Sequence, residues 1–401
     1  MLQFQGKYGK AVVMIDTIDQ ETISQIYEFL NCEVFTNYIA VMPDTHAGSG
    51  AVIGFTMPMG DKVIPNVVGV DIGCGMLNFK VIKNILGLYS KQDIDEKIRQ
   101  AIPFGTSVNL INKINLQTHP VFWTVANMKL KSFVKKYNSK YGTNYDIEEY
   151  NNDWLSYTCD EIEINLDRVV KSLGTLGGGN HFVELGKSEN TGDYYFTIHS
   201  GSRQFGLKIA NYWQKKAGKG ALAYLEGDDM FGYLRDMIFA QHYASVNRTL
   251  MMQSINKALD LEASDELIET IHNFINFDDF IIRKGAISSY VGEKMIIPFN
   301  MEDGILICEG KSNPEWNYSA PHGAGRVASR SWAKKNISKD KAEERMKKKG
   351  IYISTLPVDE AKEAYKDPKI IEDAIGPTAT IIDRLKPVLV MKDKNKRRYL
   401  F

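Results

Sequence analysis

Apolar side chains recur at periods of two and of 3.6 residues along the chain, and predict strands and helices in irregular alternation. Residues 11–15 (AVVMI) suit a strand. Asp19 suits the N-cap of a helix with Ile23, Ile26, Tyr27 and Leu30 on its buried face. Residues 38–58 read as a strand, a glycine-rich turn and a second strand, and the apolar run at 67–70 suits another buried strand. Ser90 opens a helix with Asp93 at its third position, Ile94 and Ile98 inward and Pro103 as the stop. Further helices fall near 121–137, up to Gly174, over 204–217 and roughly 221–259; in the last, Met230, Leu234, Met237 and Ile238 stand at core spacing. An acidic helix is expected before Ile271, strands at 194–199 and on either side of the turn 299–304, and a helix beginning within 318–330. A charged helix at 338–349 stops at Gly350, and the strand LKPVLVMK precedes a basic tail.

No internal repeat and no low-complexity linker interrupts this series, and the polar motifs run from 43 to 392. The expectation is one intertwined domain over 1–401, mixed α+β, with central β-sheets flanked by helices. Lys+Arg and Asp+Glu balance at 49 each, so any nucleic-acid surface must be local. Cys32, Cys74, Cys159 and Cys308 form no CxxC pair, which argues against a disulfide scaffold or zinc ribbon and suits a reducing compartment. The opening MLQFQGKYGK has no apolar signal core and no 18-residue apolar run occurs, so a cytoplasmic, unanchored protein is expected.

The chemistry starts at Asp71 and Cys74, three residues apart among glycines that let both side chains face one object. Taken alone they read as a turn aspartate beside a buried structural cysteine. The histidines alter that reading. His181, His199 and His322 lie in glycine- or serine-rich stretches rather than on amphipathic faces, and His272 is a fourth candidate. A mixed oxygen, sulfur and nitrogen set of this size is enough for two ions sharing the cysteine, and by residue type zinc, iron and manganese compete. Paired ions suit phosphoryl chemistry because they stabilise the attacking and leaving oxygens together. Ser200-Gly201-Ser202-Arg203 suits an oxyanion or phosphate. Arg326, Arg330 and Lys334, at i, i+4 and i+8, would share a helical face beside His322 and form a phosphate site. His46 is a possible ligand or proton donor, though as an isolated residue it reads as fixed by local hydrogen bonds; His119 reads as a loop residue and His242 as structural.

PDTHAGSG, GVDIGCG, GTLGGGNHFVE, HSGSR, HN, RKGA, SAPHGAGRVASR and KPVLVMK occur in the order seen in the RtcB family of RNA ligases, which the chain resembles from about residue 38 to 392. The resemblance implies a manganese- and GTP-dependent enzyme joining RNA 2′,3′-cyclic phosphate or 3′-phosphate ends to 5′-hydroxyl ends, in RNA repair or tRNA splicing. It implies that Cys74 bridges two manganese ions, with Asp71 and His181 completing one and His199 and His272 the other. His322 resembles the guanylylated nucleophile. Asn180, Glu184, Asn273, Gly323, Ala324, Gly325, Tyr365 and Lys392 match guanylate-contacting positions, and Pro298, Phe299, Asn300 and Met301 fall in the nucleotide-pocket loop. Arg203, Arg326 and Arg330 match positions that hold RNA phosphates. The chain would work as a monomer with no membrane contact. It departs from the family's Pro-Gly-Ser-Met loop: Phe299, Asn300 and Ile305 stand where glycine, serine and a further serine are usual. Two other readings compete: a binuclear metal-dependent phosphohydrolase or cyclic phosphodiesterase that does not ligate, and a non-catalytic RNA-end-binding module.

Overall fold

The computed structural model describes residues 1–394, so the basic tail lies outside the described residues from 395 onward. Two sheets, flanked by helices, carry the site. The larger is antiparallel along its main path, in the order Leu267–Ile271, Gly75–Val81, Tyr194–Ser200, Phe182–Ser188, Ala379–Met391, Ile305–Gly310 and Lys294–Pro298; the short strand Tyr352–Ile353 pairs parallel with Ala379–Met391. Its first and last strands lie against each other, so the sheet curls almost closed. A six-stranded sheet runs Leu2–Gln5, Lys10–Val13, Ile39–His46, Ile53–Pro58, Ile281–Lys284 and Asn273–Asn276. The chain passes from one sheet to the other at His272, between Ile271 and Asn273.

The register of the larger sheet does most of the positioning. Ile271 pairs with Gly75, Gly75 with Ser200, and Phe182 with His199. Four neighbouring strands therefore start or stop at one level, and the residues at that level include or adjoin Cys74, His181, His199 and His272. Behind them the 32-residue helix Gly227–Ala258 is buried on most of its circumference, with Met230, Leu234, Met237 and Ile238 in the core as the spacing predicts.

Local signals hold at several boundaries. Asp19 accepts from Thr22 N at 2.8 Å at the start of helix Gln20–Leu30, and Ser90 and Asp93 form the reciprocal capping box of Lys91–Ala101. Helix Lys339–Lys348 ends before Gly350 at φ 69°.

Other expectations are corrected. Tyr27 is 44% exposed and Phe29 takes its place in the core. The run at 67–70 is a single helical turn, Pro65–Val68, followed by a loop; Pro65 at its first position presets the backbone, and the strand begins only at Gly75. The stretch before His272 is the strand Leu267–Ile271: three of its five residues, Ile268, Thr270 and Ile271, are β-branched, and it pairs with Gly75–Val81. His119 caps the helix Pro120–Tyr141, its ring accepting from Phe122 N at 3.3 Å. His242 packs on Phe122, ring centroids 4.8 Å apart, which is the structural role expected of it. The stretch after Tyr318 is a strand, Ser319–Pro321, then a loop; the helix starts at Arg330, capped by Ser329. Arg326 is therefore off the helix that carries Arg330 and Lys334.

Candidate active site

Asp71, Cys74, His181, His199 and His272 meet at the level set by the sheet register. Two triplets, Asp71–Cys74–His181 and Cys74–His199–His272, each hold their ligand atoms within 4.8 Å of one another. Cys74 belongs to both. Its Sγ is 3.5 Å from His181 Nε2 and 3.2 Å from His199 Nε2; His181 Nε2 lies 3.0 Å from Asp71 Oδ2, and the Nε2 atoms of His199 and His272 are 3.4 Å apart.

Proton bookkeeping says what this cluster suits. His181 Nδ1 is 2.9 Å from the Leu176 carbonyl, which only an N–H can satisfy, so in the neutral ring Nε2 is the nitrogen with the lone pair. Burial, reinforced by neighbouring positive groups, holds His199 and His272 well below the usual imidazole range, so both are neutral. Burial and then the Asp71 charge push the Cys74 thiol up, with Arg248 opposing. Lone pairs of nitrogen, sulfur and oxygen are thus turned toward one another with too few protons to join them. Divalent cations would satisfy all of them and supply the charge that ionises the thiol. The residues present therefore fit a two-ion centre.

The glycines of these motifs have steric reasons. A Cβ on Gly201 would stand 2.2 Å from Asp71 Oδ1. Gly177, at φ 92°, would collide with the Arg203 guanidinium and the His181 ring.

His322 adjoins the cluster. Its ring centroid is 4.9 Å from that of His272, and the pairing of Ala286–Ser288 with Ser319–Pro321 brings it there. Its Nδ1 lies 2.5 Å from Asp44 Oδ2, and the same carboxylate oxygen accepts from His322 N at 3.2 Å. Asp44 is fully buried on the strand Ile39–His46. It fixes the tautomer with Nε2 as the free lone pair, the arrangement of an oriented nucleophile. The sequence motif contains Asp44, yet the reading passed over it in favour of His46. The His46 ring is held instead by the Asp44 carbonyl at 3.0 Å, and burial lowers it to about 4.

A cavity of about 280 Å³ opens beside His322. All twelve nucleotide candidates line it: Asn180, Glu184, Asn273, Pro298, Phe299, Asn300, Met301, Gly323, Ala324, Gly325, Tyr365 and Lys392. Burial pushes Glu184 up to about 8 against the pull of Lys392, and its Oε1 has no protein partner. A buried, unsatisfied carboxyl on the wall is what a polar ligand edge requires. The divergent loop is a hairpin turn: Asn300 Oδ1 accepts from Glu302 N at 2.9 Å and Asp303 N at 3.1 Å, Phe299 is buried, and Ile305 begins the return strand.

Arg326 and Arg330 line this same cavity, but Asp359 and Glu360 engage them. Arg326 Nη1 is 3.4 Å and Arg330 Nη1 2.7 Å from Glu360 Oε1; Arg330 and Lys334 also reach Asp359, at 3.0 and 3.5 Å. Lys392 Nζ stands 3.2 Å from Glu360 Oε2, to which Tyr365 donates at 2.7 Å. Although burial opposes it, Lys392, Arg330, Tyr365 and Arg326 hold the Glu360 carboxyl down at about 2.

Arg203 is elsewhere. With Arg168 it lines a second cavity, of about 230 Å³, on the side of Asp71 and His181; Asn180 lies where the two cavities adjoin. Arg168, which the sequence reading missed, is pinned by Gln204 at 2.9 Å and the Thr106 carbonyl at 2.9 Å. Its only signal was a basic residue on the helix before the glycine loop.

Known proteins fit this picture. The chain is 29% identical to an RNA-splicing ligase RtcB of Escherichia coli, over 94% of this chain and 95% of that protein. It is 26% identical to the tRNA-splicing ligase RtcB of Aeropyrum pernix, over 94% and 93%, and 27% identical to that of Archaeoglobus fulgidus, over 88% and 87%. Residues 25–393 match the family described as tRNA-splicing ligase RtcB, and the chain belongs to the RtcB family.

Proposed function

We propose that this RNA ligase uses GTP and two manganese ions to join 2′,3′-cyclic phosphate or 3′-phosphate RNA ends to 5′-hydroxyl ends, with His322 as the nucleophile. The observation that carries the reading is the Asp44-oriented imidazole, 4.9 Å from a ring of the two-ion donor set and opening on the cavity that Glu184 and Lys392 line. Asp71, Cys74 and His181 would hold one ion and Cys74, His199 and His272 the other. The ions would supply charge opposite the phosphoryl oxygens. His322 Nε2 attacks the α-phosphorus of GTP, a nitrogen–phosphorus bond forms and pyrophosphate leaves. Asp44 keeps Nδ1 protonated and stabilises the charge that develops on the ring. A 2′,3′-cyclic end is first opened by water to the 3′-phosphate; the guanylate passes to that 3′-phosphate, and the 5′-hydroxyl then attacks it and expels GMP. Arg203 and Arg168 suit the RNA phosphates in the second cavity; Arg326 and Arg330 suit phosphates at the nucleotide rim.

Mass spectrometry of the intact protein, after incubation with manganese and each nucleoside triphosphate in turn, tests this. The expected outcome is one added guanylate, only with GTP, and none in His322→Ala. Phosphate release from RNA ends with no adduct would turn the reading to a phosphohydrolase. Among the described residues no helix is long and apolar enough to cross a membrane.

A further inference from the structure

Asn247 and Arg248 are consecutive in the middle of helix Gly227–Ala258, and both are fully buried. Neither lines the two site cavities. Six of their nine side-chain hydrogen bonds go to the backbone of segments that carry the proposed metal ligands, and the other three go to the Ser200 hydroxyl and the Glu269 carboxylate on those same segments. Asn247 Oδ1 accepts from Gly174 N at 2.7 Å and Thr175 N at 3.0 Å. Its Nδ2 protons are shared among Thr175 O, Ser200 Oγ and Gly201 O at 3.0–3.2 Å. Arg248 Nη1 donates to Gly73 O at 2.9 Å and Ser200 O at 2.7 Å, while Nε and Nη2 grip Glu269 Oε1 at 3.0 and 2.8 Å.

Each contact lies on a segment that leads to a ligand. Gly73 lies between Asp71 and Cys74. Ser200 follows His199. Gly174 and Thr175 lead into Leu176, whose carbonyl holds the His181 ring. Glu269 is three residues before His272. Four segments spread over two hundred positions are thus tied to one turn of one helix. A planar guanidinium and a primary amide set the distances between such carbonyls with little freedom, which a single-point donor could not do. The carbonyls of Gly73, Thr175 and Gly201 stand outside the strands, so they also need these side-chain partners.

We infer that Asn247 and Arg248 are positioning residues that set the spacing of both ion sites. The inference rests on the two-ion reading above. Asn247 governs the Asp71–Cys74–His181 group through the glycine loop. Arg248 governs both groups, because it holds the Cys74 turn and the ends of the strands leading to His199 and His272.

The test uses the full chain in metal-free form. Manganese affinity is measured by calorimetry, and the thiolate-to-metal and visible bands are recorded after loading with cobalt(II). The proteins are wild type, Asn247→Asp, Arg248→Lys and Leu234→Ala. Asn247→Asp keeps the acceptor oxygen and removes the amide donors; Arg248→Lys keeps the charge and removes the fork. Leu234→Ala damages the same helix about 20 Å away along its axis. The expected result is affinity for at least one ion weakened about tenfold or more in each of the first two variants. Their cobalt spectra should shift, and Leu234→Ala should bind as wild type. Two ions held at wild-type affinity with unchanged spectra in Asn247→Asp and Arg248→Lys would overturn the inference. Equal weakening in Leu234→Ala would also overturn it. Should Asn247→Asp not fold, Arg248→Lys decides alone. Wild-type protein that binds no manganese would instead sink the two-ion reading, a separate failure.

Discussion

Two regions meet at His322 and handle charge in opposite ways. On one side, Asp71, Cys74, His181, His199 and His272 turn lone pairs toward one point, and burial keeps the imidazoles of His199 and His272 neutral. On the other, Arg326, Arg330 and Lys392 are answered by Glu360, with Asp359 beside it. The first region calls for cations from outside the chain. The second has four cations, Lys334 included, already paired with two carboxylates, so an anionic ligand there competes with Asp359 and Glu360 rather than meeting bare positive charge. Metal and nucleotide should therefore leave different signatures when their partners are altered.

The largest effect belongs to the shared sulfur. Cys74→Ser should lower affinity for both ions together by about a hundredfold or more, since a hard hydroxyl would replace the proposed bridging thiolate. Metal analysis after gel filtration checks it, and two ions retained would break the comparison at its base.

Asp44→Asn comes next. It keeps the size of the side chain but not the charge that holds the His322 tautomer, and should slow guanylylation by about 10²- to 10⁴-fold. Single-turnover labelling at saturating GTP reads this, and metal content should stay at the wild-type level.

Glu360→Gln sharpens the other side. Lys392 would be left buried beside a neutral amide, costing about 3 kcal/mol of stability. Calorimetry should show GTP raising the melting temperature of this variant more than that of wild type, because the nucleotide no longer competes with a carboxylate.

The last effect is read only as a pH slope, at Glu184. Its carboxyl titrates at about 8 when folded, against an ordinary 4.5. The folded state thus keeps a proton that the unfolded chain releases, and the stability from this group is complete below pH 4.5 and lost as pH rises to about 8. Melting temperatures of Glu184→Gln should fall less over that window than those of wild type; parallel curves would remove Glu184 from the set of buried, protonated groups.

Much of the site was legible because glycine marks it. Gly177 and Gly201 are required by the atoms they press against, and such requirements leave a visible motif around Asp71, Cys74, His181 and His199. Asp44 was within reach, in the same motif as His46, but its partner is 278 residues away and nothing local points there. Asn247 and Arg248 were invisible, since a helix interior reads as core whether its buried residues pack or hold loops in place.

The chain's own residues determined the family, the donor types that meet around Cys74, the caps at Asp19 and Ser90 and the core face of the long helix, because each depends on spacing within a few turns or on chemical identity. Tertiary structure alone decided that Arg326 leaves the helix of Arg330, and that Arg203 faces a different cavity from the other two arginines. Those outcomes hang on cross-strand pairing and on carboxylates brought from distant segments. Contacts of that range are selected by the free energy of the whole fold and leave no periodicity behind.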